Sequence, residues 1–169
     1  MGAGILPITL VKNSIFILLG QERYDNKWSD FGGSHHPKER IFNTAIREGM
    51  EELNGILGTK EKLKKKVEDN LILRVSNDND AYTSYVFNLT YDENLVEYFD
   101  NINKFAEQNL NNIILKNNGL YEKKAIKWYN INDFKNPKKL KILRPHYQCI
   151  IKTLSSKENQ EFLRTELVK

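Results

Sequence analysis

Two apolar, β-rich runs at residues 5–11 and 14–19 flank the polar pair Lys12-Asn13, which predicts two paired strands. The polar stretch 20–26 predicts a loop. Residues 28–33, ending in Gly32-Gly33, predict a short strand running into a tight turn, where paired glycines permit conformations other residues resist. Pro37 suits a loop or a helix entry. From 40 to 54, Phe42, Ala45, Ile46, Gly49, Met50 and Leu53 recur at helical spacing and predict the buried side of a helix. Gly49 within it costs about 1 kcal/mol against alanine, and a small residue there would let another backbone approach closely. Strands follow at 71–75 and 81–91 with a turn at 76–80. A moderate helical pattern spans 94–109, 109–119 is left unassigned, and 125–131 reads as a strand. Pro145 starts a last helix through 154, broken near Ser155-Ser156, with a second piece up to Val168. Neither a repeat nor a linker divides the chain, so one domain over 1–169 is expected. Strands, a helix, more strands and terminal helices indicate an α+β class, a mixed α/β/α sandwich.

Glu48, Glu51 and Glu52 fall largely on the polar side of the 40–54 helix. Three carboxylates on one turn repel each other. Hard divalent cations relieve that repulsion, because Mg²⁺ prefers oxygen ligands and bridges carboxylate to phosphate. The plain alternative is a solvated acidic face.

The spacing is more specific than the cluster. Five residues separate Gly33 from Glu39, seven more lead to Arg47-Glu48, and Glu51-Glu52 follow. This resembles the Nudix box, G-x5-E-x7-R-E-U-x-E-E-x-G-U with U apolar, at every charged position and at the leading glycine. Gly49 departs from the usual apolar U, and Asn54-Gly55 from the usual Gly-U. These bear on local packing, since both Asn and Gly can end a helix in left-handed geometry.

The resemblance covers 3–134 and implies a mixed sheet between helices and a Nudix hydrolase. Such an enzyme uses water to split the phosphoanhydride of a nucleoside diphosphate linked to another group. Trp128 and Asn132-Asp133-Phe134 look like that family's late strand and short helix. Carried over to this sequence, Glu48 and Glu52 are metal ligands, Glu51 a further ligand, and Glu39 a supporting or outer one. Gly33 would offer its carbonyl, and Arg47 would orient Glu48 or Glu39. The general base is Glu52 or, as in members that use a later loop, Glu122. The cofactor implied is Mg²⁺ or Mn²⁺. A catalytically silent module that binds nucleotide or RNA is the alternative.

Substrate choice lies outside the box. Trp28, Tyr24, Tyr121, Tyr82 and Trp128 are candidates for stacking on a base, and His35 and His36 for touching phosphate. Residues 3–7 and 28–33 look similar to a Nudix subgroup of large DNA viruses, some of which remove mRNA caps. The partner expected is thus a nucleotide-type small molecule or capped RNA. Lysines at 60–66 and 135–141, with Arg144, could guide a polyanion, and a net charge of +4 is compatible with one. The single cysteine, Cys149, excludes a disulfide framework or zinc cluster. No apolar run approaches a membrane span, and the expected setting is cytoplasmic.

Overall fold

The computed structural model describes residues 1–111 and 120–169. Residues 112–119, most of the unassigned stretch 109–119, lie outside it. The first strand is β1 (Gly2–Val11), and Lys12 (φ 47°) and Asn13 (φ 62°) turn it into β2 (Ser14–Glu22). Two consecutive left-handed residues match the twist of a two-residue hairpin. The two strands pair only close to the turn, from Ile8↔Ile17 to Val11↔Ser14, and then diverge. The gap is filled by β3 (Trp28–Ser29), paired with Gly20 and Gln21, and by β4 (Phe31–Ser34), paired with Gly2 to Ile5. On its far side β1 runs parallel to β6 (Tyr82–Asn88), which pairs antiparallel with β5 (Leu71–Ser76). On the other flank β7 (Lys123–Asn130) is antiparallel to β2.

Both faces of this mixed seven-stranded sheet are covered. Ala3, Ile5, Leu18, Phe31 and Phe87 pack against α1 (Ile41–Glu52), α2 (Lys60–Asp69) and α3 (Leu95–Asn109), which contribute Ile46, Val67 and Phe99. Leu6, Ile8, Ile15 and Ile17 face Tyr147, Ile150, Ile151 and Leu163 of α5 (Pro145–Leu154) and α6 (Lys157–Leu167). Each fully buried side chain of this kind contributes about 1.5–3 kcal/mol. A 3₁₀ turn (Ile131–Lys135) and the one-turn α4 (Pro137–Leu140) lead into this second layer. The α+β sandwich expected from the sequence is the fold observed.

Several boundaries differ, each for a tertiary reason. The loop expected at 20–26 begins later, because pairing with β3 and β7 holds β2 extended through Glu22. Strand β7 starts at Lys123 rather than 125 for the same reason. Helix α2 went unpredicted: only Leu63 and Val67 are buried on it, too sparse an apolar stripe to stand out among lysines. The break at Ser155-Ser156 is real, and Ser156 accepts a hydrogen bond from Asn159 N at 3.2 Å as the cap of α6. Gly49 admits a side chain rather than a backbone, since a Cβ there would lie 2.5–2.6 Å from the outer carbons of Ile5.

Candidate active site

The site forms where β4 turns into α1. Arg47 is its hub. Its Nε and Nη2 donate to the two oxygens of Glu39 at 3.3 and 3.2 Å, and its Nη1 donates to Glu48 at 2.8 Å and Glu51 at 3.4 Å. Nη2 also reaches the Ser34 carbonyl at 3.1 Å, tying the helix to the end of β4. One guanidinium thus gathers three carboxylates, and an excess of negative charge remains. The fork geometry of arginine suits this task, which a point charge could not perform.

Glu39 is fixed further by Thr44, whose hydroxyl donates at 2.9 Å and meets His35 Nδ1 at 3.1 Å. Its pKa is lowered: the bonds from Arg47 and Thr44 outweigh desolvation. The pKa of Glu51 is raised, by desolvation first and by Glu48, against Arg47. Glu48 lies against Gly33, where an added Cβ would fall 2.5–2.6 Å from its carboxylate. Glu122, just ahead of β7, has a pKa raised by desolvation and then by the charges of Glu48 and Glu22.

Glu52 departs from the polar side of the helix expected for it. It is 3% exposed. Its Oε2 accepts from Gly32 N at 2.7 Å, and its Oε1 lies 3.3 Å from the Nζ of Lys123. Lys123 is wholly buried and also donates to Glu22 at 2.5 Å and Ser29 at 3.0 Å. Gly20 leaves room for this lysine, since a Cβ there would stand 2.9 Å from its aliphatic carbons. Desolvation raises Glu52 well above its ordinary pKa, with Lys123 pulling the other way. Desolvation disfavours the charged lysine too, but two adjacent carboxylates outweigh it and hold Lys123 protonated. Arg144 completes the group by donating to Glu22 at 3.2 Å. Nearby, Asp30 accepts from Tyr82 at 2.7 Å and Ser84 at 2.5 Å, fully buried.

The aromatic candidates divide. Trp28 packs edge-on against Tyr129, with ring centroids 5.2 Å apart, partly buried against the core. Tyr82 is engaged with Asp30, and Trp128 lies against Tyr91. Tyr24 is exposed beside the Arg144 guanidinium. Tyr121 holds a left-handed turn (φ 62°), its N–H donating to Asn54 at 2.9 Å. Two of the α2 lysines pair with acids of their own helix, Lys64 with Glu68 and Lys65 with Asp69.

Sequence reasoning missed Glu22, Lys123, Asp30 and Thr44. The first two stand at strand ends that periodicity placed in loops. Nothing in one-dimensional spacing marks an ion pair between strands so distant in the chain.

The donor set fits a hard dication, being all oxygen. Glu48 Oε2, Glu51 Oε1 and the Glu122 carboxylate accept no hydrogen bond among the described residues. Arg47, Lys123 and the Gly32 N–H engage the remaining oxygens of Glu48, Glu51 and Glu52, and no three acid, histidine or cysteine side chains converge on one point among the described residues. An ion would share Glu48 and Glu51 with Arg47, and Glu52 with Lys123. Among the described residues no helix is long and apolar enough to cross a membrane.

No family model matches the sequence, and no curated protein matches it either. Solved structures do. A bifunctional NMN adenylyltransferase/ADP ribose pyrophosphatase from Francisella tularensis superposes with TM-score 0.53 at 21% identity, over 90% of this chain and 39% of that one. Its complex with AMP and Mn ion gives 0.52 at 22% identity, over 90% and 40%. The chain therefore spans about two fifths of that enzyme. A C. elegans Ap4A hydrolase binary complex aligns over 96% of this chain and 91% of its own, at 19% identity and TM-score 0.46. With its mixed sheet between two helical layers and the acid-rich box from Gly33 to Glu52 at the mouth of α1, the chain has the Nudix fold.

Proposed function

We propose that this protein is a Mg²⁺- or Mn²⁺-dependent pyrophosphohydrolase acting on a nucleoside diphosphate linked to a further group. The observation that carries the reading is the gathering of Glu39, Glu48 and Glu51 on Arg47 beside the Gly32-Gly33 backbone. An ion pair network serving stability alone needs no such surplus of half-engaged carboxylate oxygens on one turn. Glu48, Glu51 and Glu52 are the ligand set, with Gly33 adjacent. When bound, the ion neutralises phosphate charge and lowers the pKa of its water.

The protein's own groups do the rest. Arg47 keeps Glu48 and Glu51 aimed outward from α1. Lys123 and the Gly32 N–H hold Glu52 in a single orientation, so little reorganisation is needed when substrate arrives. Glu122, whose carboxylate accepts no hydrogen bond among the described residues and senses Glu48 and Glu51, takes the proton of the attacking water. The products are two phosphorylated fragments, and the group beyond the diphosphate is a sugar, a second nucleotide or the 5′ end of a capped RNA.

A panel of ADP-ribose, dinucleoside polyphosphates and cap-labelled RNA, incubated with Mg²⁺ or Mn²⁺, tests the proposal. We expect cleavage of at least one class, abolition by chelator, and a loss of about two orders of magnitude for Glu48→Gln, on the scale of general acid–base and metal contributions. Intact substrates throughout, with nucleotide binding retained, would select the silent binding module instead.

A further inference from the structure

The buried ammonium of Lys123 is shared unevenly between two carboxylates. It donates to Glu22 Oε1 at 2.5 Å and to Ser29 Oγ at 3.0 Å. Glu52 Oε1 lies farther off, at 3.3 Å, where it forms an ion pair without hydrogen-bond geometry. The hydrogen bond that Glu52 accepts is on its other oxygen, Oε2, from Gly32 N at 2.7 Å. Gly20 fixes the stem of the lysine, whose Cγ and Cδ would stand 2.9 Å from a Cβ at that position. The choice between the two acids therefore falls to the terminal bonds of the lysine side chain.

Glu22 is well placed to keep that ammonium. It is 2% exposed, and the oxygen that takes Lys123 also accepts from Arg144 at 3.2 Å and from Ser29 at 3.4 Å. A carboxylate out of water needs cations and donors to replace its hydration, and Glu22 has both. Glu52 has a different task, as a ligand to a dication. An ammonium beside a metal ligand and the ion on that ligand repel each other, and in a water-poor site that repulsion is strong. It falls when the ammonium rests on Glu22 and rises when Glu52 is the only carboxylate left to it.

We infer that Glu22 is a positioning residue of the metal site: it draws the Lys123 ammonium away from Glu52 and so leaves Glu52 Oε1 open to the dication. Ser29 and Arg144 hold Glu22 and the lysine in that arrangement. This rests on the pyrophosphohydrolase reading and deepens it, by placing control of metal affinity on a residue of β2, outside the box from Gly33 to Glu52. Glu22 acts through Lys123 rather than on the ion. With Glu22 neutralised, the ammonium closes on Glu52 and competes with the metal.

Mn²⁺ titration followed by electron paramagnetic resonance, which reads the free aquo ion, tests the inference. The proteins are wild type, Glu22→Gln, Lys123→Met and the double variant, each first shown to be folded by circular dichroism. Glu22→Gln should raise the dissociation constant about ten-fold, the scale of one charge interaction at a shielded site. Lys123→Met should bind at least as tightly as wild type, because the competing cation is gone and Gly32 N still holds the other oxygen of Glu52. The double variant should return to within about three-fold of wild type. An ion pair serving stability alone gives a different pattern: both single variants are destabilised, so affinity falls in both or in neither. Glu22→Gln equal to wild type, Lys123→Met weaker than wild type, or a double variant no tighter than Glu22→Gln overturns the inference. Should Glu22→Gln not fold, Glu22→Asp takes its place, because its shorter side chain retracts from Lys123. A weakening of about three-fold is then expected, and unchanged affinity overturns the inference. A wild type that binds no Mn²⁺ refutes the metal-dependent hydrolase reading and this assignment together. A wild type that binds Mn²⁺ and cleaves, with Glu22→Gln identical to it, refutes the assignment alone.

Discussion

Lys123 has no exposed surface, yet its ammonium stands 3.3 Å from the Glu52 carboxylate at the end of the acid-bearing helix. The same ammonium reaches Glu22 at 2.5 Å. A buried cation between two carboxylates replaces their lost hydration and fastens β7, β2 and α1 at one point. Removing one member of such a group leaves uncompensated charge in the core.

Lys123→Met keeps most of the side-chain volume and removes the charge. We expect it to destabilise the fold by about 3–5 kcal/mol, the usual cost of breaking a buried pair. Adding Glu22→Gln should restore part of that loss. Urea unfolding of the two variants checks both points. A Lys123→Met protein within about 1 kcal/mol of wild type would mean that the ion pairs are not what joins these elements.

The two glycines of β4 should behave oppositely. The atoms nearest a Cβ on Gly33 all belong to the Glu48 carboxylate, the far end of a flexible side chain. A Cβ on Gly32 overlaps the Gly4 and Ala3 backbone and the Tyr82 hydroxyl. Gly33→Ala should fold with a stability change below about 1.5 kcal/mol and lose metal affinity and turnover through the displaced Glu48. Gly32→Ala should lose stability by several times as much. Thermal melts together with Mn²⁺ titration distinguish the two, and equal melting temperatures would contradict the geometry.

Arg47→Lys retains the charge but not the fork that reaches Glu39, Glu48 and Glu51 at once. Turnover should fall by about an order of magnitude or more, since orientation rather than charge is lost. The measurement is kcat/KM under saturating metal. Full rescue by lysine would show that a point charge suffices.

Asp30 supplies a pH test within the buried charge group that includes Lys123 and Glu22. Desolvation raises its carboxyl from 3.8 to about 6, against the hydrogen bonds from Ser84 and Tyr82. The folded state therefore binds the proton more tightly than the unfolded chain. Its favourable contribution is complete below pH 3.8 and is lost as pH rises through about 6. Asp30→Asn cannot titrate. Its stability relative to wild type should climb between pH 4 and pH 7 by up to about 3 kcal/mol. Denaturant melts across that range check the slope, and a difference independent of pH would exclude a raised carboxyl.

What the linear sequence determined is what depends on short spacing. The hairpin at Lys12-Asn13 needs two adjacent residues that tolerate left-handed geometry. The apolar face of α1 follows from 3.6-residue periodicity, and the box places Glu39, Arg47, Glu48 and Glu51 within reach of one another on a single helix and its lead-in. The break between α5 and α6 was legible because Ser156 caps locally.

Tertiary structure decided everything that joins distant segments. Glu52, one turn beyond Glu48, turns inward because Gly32 N and Lys123 await it there. Glu22 and Lys123 sit in strands rather than loops because ladder pairing, not side-chain pattern, carries β2 and β7 that far. The last thirty residues, unreadable as a motif, close the second face of the sheet and deliver Arg144 to Glu22. Local periodicity encodes which face of an element avoids water. Which partner meets that face is set only when the chain closes, because burying a charge is tolerable solely where another element brings its counterpart.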